Sequence, residues 1–131
     1  RINMKNYAQY LLARVLNSNV EEWDQRDKDK GTGTVVLLTP HYKVELVQIY
    51  RMTSRERDYD MEYAIIVYFG GHQFNALMIN PHSNLFERID VLYKDISASV
   101  LEKMENRAQE FVALLEREKV EPISLDSLDI V

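Results

Sequence analysis

Three histidines, His41, His72 and His82, are the residues of this chain best suited to bind a metal or move a proton. Their placement decides whether they act together. His41 precedes a strand-like run at 42–52, His72 follows Gly70-Gly71, and His82 follows a run at 73–79. In an antiparallel meander His41 and His72 share one end of the sheet and His82 lies at the other. Strands of this length, at about 3.3 Å per residue, hold the two ends roughly 25 Å apart. Zinc needs every imidazole within about 2 Å, so the three do not converge. His41 and His72 with a carboxylate form the one acid–base set this order permits. A small enzyme with its site at one end of the sheet is therefore an alternative reading.

Carboxylates are the second candidates. Asp58, Asp60 and Glu62 alternate at the entry to a strand, where shared oxygens could take a hard cation. Arg55 and Arg57 stand beside them, and a salt-laced hairpin tip explains the same residues. The acidic run at 21–29 lacks the central glycine and terminal glutamate of a calcium loop. Nucleophilic serine chemistry has no Gly-x-Ser-x-Gly elbow, and Ser97, Ser99, Ser124 and Ser127 suit caps and a tail. Gly70-Gly71 has no lysine, third glycine or following helix, so it reads as a hairpin turn rather than a phosphate cradle. Cysteine is absent, which excludes disulfides, thiol catalysis and cysteine–zinc sites, and fits a cytoplasmic protein. No metal, cofactor or catalytic residue is assigned.

The aromatic residues are more informative. Tyr42, Tyr50, Tyr59, Tyr63, Tyr68, Phe69 and Phe74 fall on or beside the strand-like runs. Aromatics on a sheet can stack bases, but such sheets carry Lys and Arg beside them. Residues 61–69 and 73–79 carry none, and the chain's net charge is −5 with a pI near 5.2. Nucleic acid is thus not the expected partner. Residues 63–69 are also apolar on both faces, as in a strand covered on two sides or met by another chain. The residues assigned to protein binding are Tyr59, Tyr63, Ile65, Val67, Phe69 and Phe74, with Asp58 and Asp60.

The elements that would position these residues follow from periodicity. Tyr7, Leu11, Leu12 and Val15 place a helix at 4–16. Residues 17–33 form a polar loop from which Trp23 packs back on the core. Thr34–Thr39 is a strand, and 42–52 alternates as a half-buried one, with Val44 and Leu46 inward and Lys43, Glu45 and Arg51 outward. Strands at 61–69 and 73–79 flank the glycines, and Leu85–Asp90 is a candidate fifth strand. A last helix is predicted at 97–119, capped by Asp95, Ser97 or Ser99, with Val100, Met104, Phe111 and Leu115 on the sheet. Residues 121–131 form a short acidic-apolar tail, whose Ile123 and Leu125 are expected to dock on the sheet or on a neighbouring chain.

The 131 residues, 46% apolar and 28% charged, fit a single soluble α+β domain. Its architecture is an N-terminal helix, an antiparallel meander of four to five strands and a long C-terminal amphipathic helix on the sheet. No run approaches the roughly 18 apolar residues of a membrane helix. The functional expectation is a small acidic protein-binding module: an inhibitor, immunity protein, adaptor or chaperone-like protein. It would use an aromatic-rich sheet and an acidic surface, with a basic protein partner and a homo-oligomeric, dimeric state. A structural subunit of a larger assembly is a further alternative.

Overall fold

The computed structural model describes residues 4–25, 33–52, 59–74 and 77–127. Helix α1 spans Met4–Leu16. A 3₁₀ turn at Val20–Glu22 leads into the strands β1 (Trp23–Gln25), β2 (Thr34–Leu38), β3 (Tyr42–Met52), β4 (Tyr59–Phe69), β5 (His72–Gln73) and β6 (Leu77–Ile79). Helix α2 runs from Phe86 to Arg117, and a second 3₁₀ turn covers Leu125–Ser127. All pairings are antiparallel, in the order β1-β2-β3-β4-β5, with β6 also on β4. The fold is α+β.

The chain divides into two compact units, Arg1–Val100 and Leu101–Val131. In the first, strand alternation builds the core. Tyr42 to Met52 pairs residue for residue with Phe69 to Tyr59, so Val44, Leu46 and Gln48 lie opposite Val67, Ile65 and Tyr63. Val35 and Leu37 continue this face on β2, and Ile79 on β6. Leu11 and Val15 of α1 and Ile89, Ile96 and Val100 of α2 close over it. Both helical segments of this unit therefore cover one face of the sheet. Trp23 is fully buried at the edge, and its indole N–H donates to the Ser18 hydroxyl at 2.8 Å.

The Gly70-Gly71 turn is as the glycines require. Both have positive φ, +61° and +78°, and Phe69 pairs with His72 across it. The rest of that strand is corrected. Residues 73–79 are not one strand: β5 and β6 pair with β4 in registers that differ by one residue, Tyr68 with Gln73 but Ile65 with Leu77. The polar loop also contains the 3₁₀ turn and β1, because Asn19 and Glu22 cap each other's backbone and deliver Trp23 to the sheet.

The larger correction concerns α2. Leu85–Asp90 is not a strand, and Asp95, Ser97 and Ser99 lie within the helix rather than capping it. The turn at Asn80–Asn84 ends with Ser83 accepting from the Leu85 N–H at 3.2 Å, and the helix starts at once. Ile89, Leu92, Ile96 and Val100 already recur at three and four residues. Val100 is buried as expected, but Met104 and Phe111 are exposed and Leu115 is half-buried. The last buried residue of α2 is Val100.

The second unit ends its helix on a residue without glycine's freedom. Lys119 has φ +61°, the Lys119 N–H donates to the Glu116 carbonyl, and the Val120 N–H donates to the Leu115 carbonyl, both at 3.0 Å. This pair of bonds is a Schellman ending. Beyond it Ile123 and Leu125 are exposed.

Candidate functional site

The residues assigned to binding separate into three groups. Tyr63 and Ile65 are fully buried and Val67 nearly so, all on the helix-covered face. A side chain with no surface cannot meet a partner, so these belong to the core. Phe69 and Phe74 are exposed at the hairpin end of the sheet. Asp60 is exposed at the opposite end of β4, where its backbone lies opposite residue 51 of β3. Tyr59 begins β4 there, and Asp58 lies outside the described residues, as do Arg55 and Arg57. An 11-residue strand is about 30 Å long. The acidic and aromatic groups therefore do not make one small patch.

The hairpin end is built where two turns meet α1. Thr39 closes the β2–β3 turn, its hydroxyl accepting from the His41 and Tyr42 N–H groups. Gly70 and Gly71 close the β4–β5 turn, and the Phe74 N–H donates to the Val67 carbonyl at 2.8 Å. The Phe74 ring then lies 6.4 Å from Phe69 and 6.2 Å from Tyr7 of α1, both tilted. Such geometry is favourable for aromatic pairs. The Tyr7 hydroxyl is buried with no hydrogen-bond partner among the described residues, and burial raises its pKa. Phe69 remains 54% exposed and Leu38, at the end of β2, 72% exposed.

The charged groups of this end carry both signs. Arg14 donates to the Tyr42 hydroxyl at 2.7 Å and to both carboxylate oxygens of Glu22 at 3.1 and 3.3 Å. That fork holds the Glu22 carboxyl below its ordinary range. Lys43 sits 4.2 Å above the ring of Tyr68, its cross-strand neighbour. Their face is opposite the one that the helices of this unit cover. It carries Val36, Val47, Ile49, Ala64 and Ile66 beside Glu45, and alternation alone read it as wetter than it is. Glu45 is buried because Val36 and Ile66 flank it across both strand pairs.

The other end of the helix-covered face holds a polar cluster that sequence reasoning missed. Tyr63 donates to Asp90 at 2.5 Å, and Lys94 pairs with the same carboxylate at 2.8 Å. Gln48 donates to the Tyr63 hydroxyl and accepts from Tyr50, both at 3.3 Å. Burial, then the Asp90 carboxylate, pushes the Tyr63 pKa far up. Lys94, then Tyr63, holds Asp90 low. The Tyr63–Asp90 hydrogen bond, steadied by Lys94, makes a structural clamp between β4 and α2. The available signal was Gln48, the one polar residue on the inward face of β3.

His41 and His72 lie at the aromatic end and His82 at the other, all exposed. The described residues hold no group of three His, Asp or Glu side chains placed for a metal ion. No described helix is long and apolar enough to cross a membrane. No protein-family model, curated protein or solved structure matches the chain.

Proposed function

We propose that this chain is a small acidic protein-binding module that engages its partner through the aromatic end of its sheet. The observation that carries this is the pair Phe69 and Phe74, ring against ring with Phe74 also against Tyr7, both of them exposed. Exposed aromatics held rigidly by a hairpin present large contact area at little cost in side-chain entropy, the usual make-up of an interface hot spot. On the opposite face of the sheet the half-buried Ile66 and Tyr68 would extend the contact. The net charge of −5 favours a basic partner as the two molecules approach. Nucleic acid does not fit, since Lys43 is the only lysine or arginine on that face between β2 and β4 at this end.

The test compares the full chain with Phe69→Ala/Phe74→Ala as bait against proteins of its own source. A basic protein retained stoichiometrically by the full chain and lost from the double variant supports the reading. Identical retention by both baits, or retained nucleic acid in place of protein, refutes it.

A further inference from the structure

The second unit carries an apolar seam along α2 that the described residues of the unit leave largely exposed. Leu101, Met104, Ala108, Phe111 and Leu115 recur at spacings of three, four, three and four along α2. That is a strict seven-residue pattern, with Leu101, Ala108 and Leu115 at one core position and Met104 and Phe111 at the other. A lone helix has a period of 3.6 residues. A 3.5 repeat keeps its face toward a second helix. Among the described residues of this unit the only other regular element is the 3₁₀ turn at Leu125–Ser127, where Leu125 is itself exposed.

Leu101 and Phe111 are 57% and 59% exposed, and Met104, Val112 and Leu114 are exposed beside them. Together these five leave on the order of 450 Å² of apolar surface in water. That is as large as the largest patch on a typical monomer, about 300–600 Å². Two copies pairing through Met104, Phe111, Val112 and Leu114 would bury about 700 Å² before Leu101 and the stems of flanking Glu and Arg side chains are added. With those added the area approaches the roughly 1,000 Å² expected of a specific interface.

We infer that residues 104–115 of α2 pair with the same segment of a second copy of this chain, antiparallel, with Ala108 opposite Phe111 of the partner subunit. Sizes along the seam decide the direction. A parallel pair stacks Ala108 on its own copy between a Met104 layer and a Phe111 layer, and leaves a hole there. An antiparallel pair mixes the two core positions. Ala108 then receives the partner's Phe111, Met104 meets the partner's Leu115, and the twofold axis repeats both contacts. Small against large is how close-packed layers fill space. The arrangement is isologous, as a closed dimer requires, and it opposes the two helix dipoles.

Sedimentation equilibrium of the full chain, of Phe111→Glu and of Met104→Glu tests the pairing. Both substitutions are at exposed positions, and near-ultraviolet circular dichroism from the buried Trp23 reports whether the first unit stays folded. The expected result is a dimer whose dissociation constant rises at least about a hundredfold in either variant. A monomeric full chain at about 100 μM, or a dimer indifferent to both charges, overturns the proposal. Direction is read by disulfide trapping, which the absence of native cysteine makes clean. Ala108→Cys mixed with Phe111→Cys should cross-link. Efficient self-linking of Leu101→Cys instead would overturn the antiparallel arrangement.

Discussion

Replacing Tyr63 by Phe tests whether the buried clamp holds β4 to α2. The ring stays, with tilted contacts to Phe86 at 5.6 Å and Tyr93 at 5.3 Å. Only the hydroxyl goes, and with it the bond to Asp90. A hydrogen bond to a charged group contributes about 1.5–3 kcal/mol. Asp90 keeps Lys94 and retains some contact with water, which places the loss at the low end. The Gln48 contact at 3.3 Å is long and adds little. The expected destabilisation is about 1.5–2 kcal/mol at neutral pH, or about 5–7 °C in Tm for a chain of this size. Urea unfolding followed by Trp23, the single tryptophan, measures it. The sign of the pH dependence follows from Asp90. Its carboxyl titrates lower in the folded state than in the unfolded one. Its stabilisation is therefore complete above the unfolded carboxylate pKa of about 3.9 and is lost as pH falls through the folded value. Without the Tyr63 hydroxyl the depression is smaller. The two proteins should differ most above about pH 5 and converge as acid protonates Asp90. A difference below about 0.5 kcal/mol at pH 7, within the scatter of ordinary surface substitutions, refutes the clamp. So does a difference that persists unchanged once Asp90 is protonated.

Three further outcomes are expected. Lys119→Gly should raise stability by up to about 1 kcal/mol, because Lys119 holds φ +61° at the end of α2 where glycine has no Cβ penalty; a lowered melting temperature would show that the lysine side chain outweighs the backbone term. Gly33→Ala should destabilise by about 1–3 kcal/mol, since its Cβ would come 2.9 Å from the Tyr93 hydroxyl and 3.0 Å from the Gln48 Cβ; an unchanged urea midpoint would refute the close approach. Tyr7→Phe should be neutral or slightly stabilising, since it removes a buried hydroxyl without a partner among the described residues; a loss above about 1 kcal/mol would mean that the hydroxyl is hydrogen-bonded after all.

Strand positions were legible where the side-chain pattern and the turn chemistry agreed. Residues 42–52 alternate and are β3 to the residue, and the Gly70-Gly71 turn joins β4 to β5 with Phe69 opposite His72. Legibility failed where a local signal competed with a longer one. Asp95, Ser97 and Ser99 resemble helix caps, and they masked the stripe from Ile89 to Val100 that carries α2 eleven residues further back, from 97 to Phe86. β1 is only three residues long and sits in a polar run, so no periodicity could reveal it. Tyr63, Ile65 and Val67 read as surface residues for another reason. Alternation shows that Tyr63 and Phe69 share a face, but not that helices cover the middle of that face and leave its end open.

The same distinction, between an apolar face and the element that covers it, separates the two proposals. Phe69 and Phe74 belong to the first unit and owe their exposure to the hairpin that carries them. Phe111 and Met104 belong to the second and owe theirs to a helix that continues after its last buried residue, Val100. The two sites can therefore be broken one at a time. If the second unit serves only to pair two copies, Phe111→Glu should yield a monomer that still retains the protein captured by Phe69 and Phe74. Its retention should be weaker only by the avidity that two linked sites confer, up to about 10²–10⁴-fold on a bivalent target and none on a monovalent one. Loss of a monovalent partner in Phe111→Glu would instead mean that the α2 seam is itself part of the partner's site.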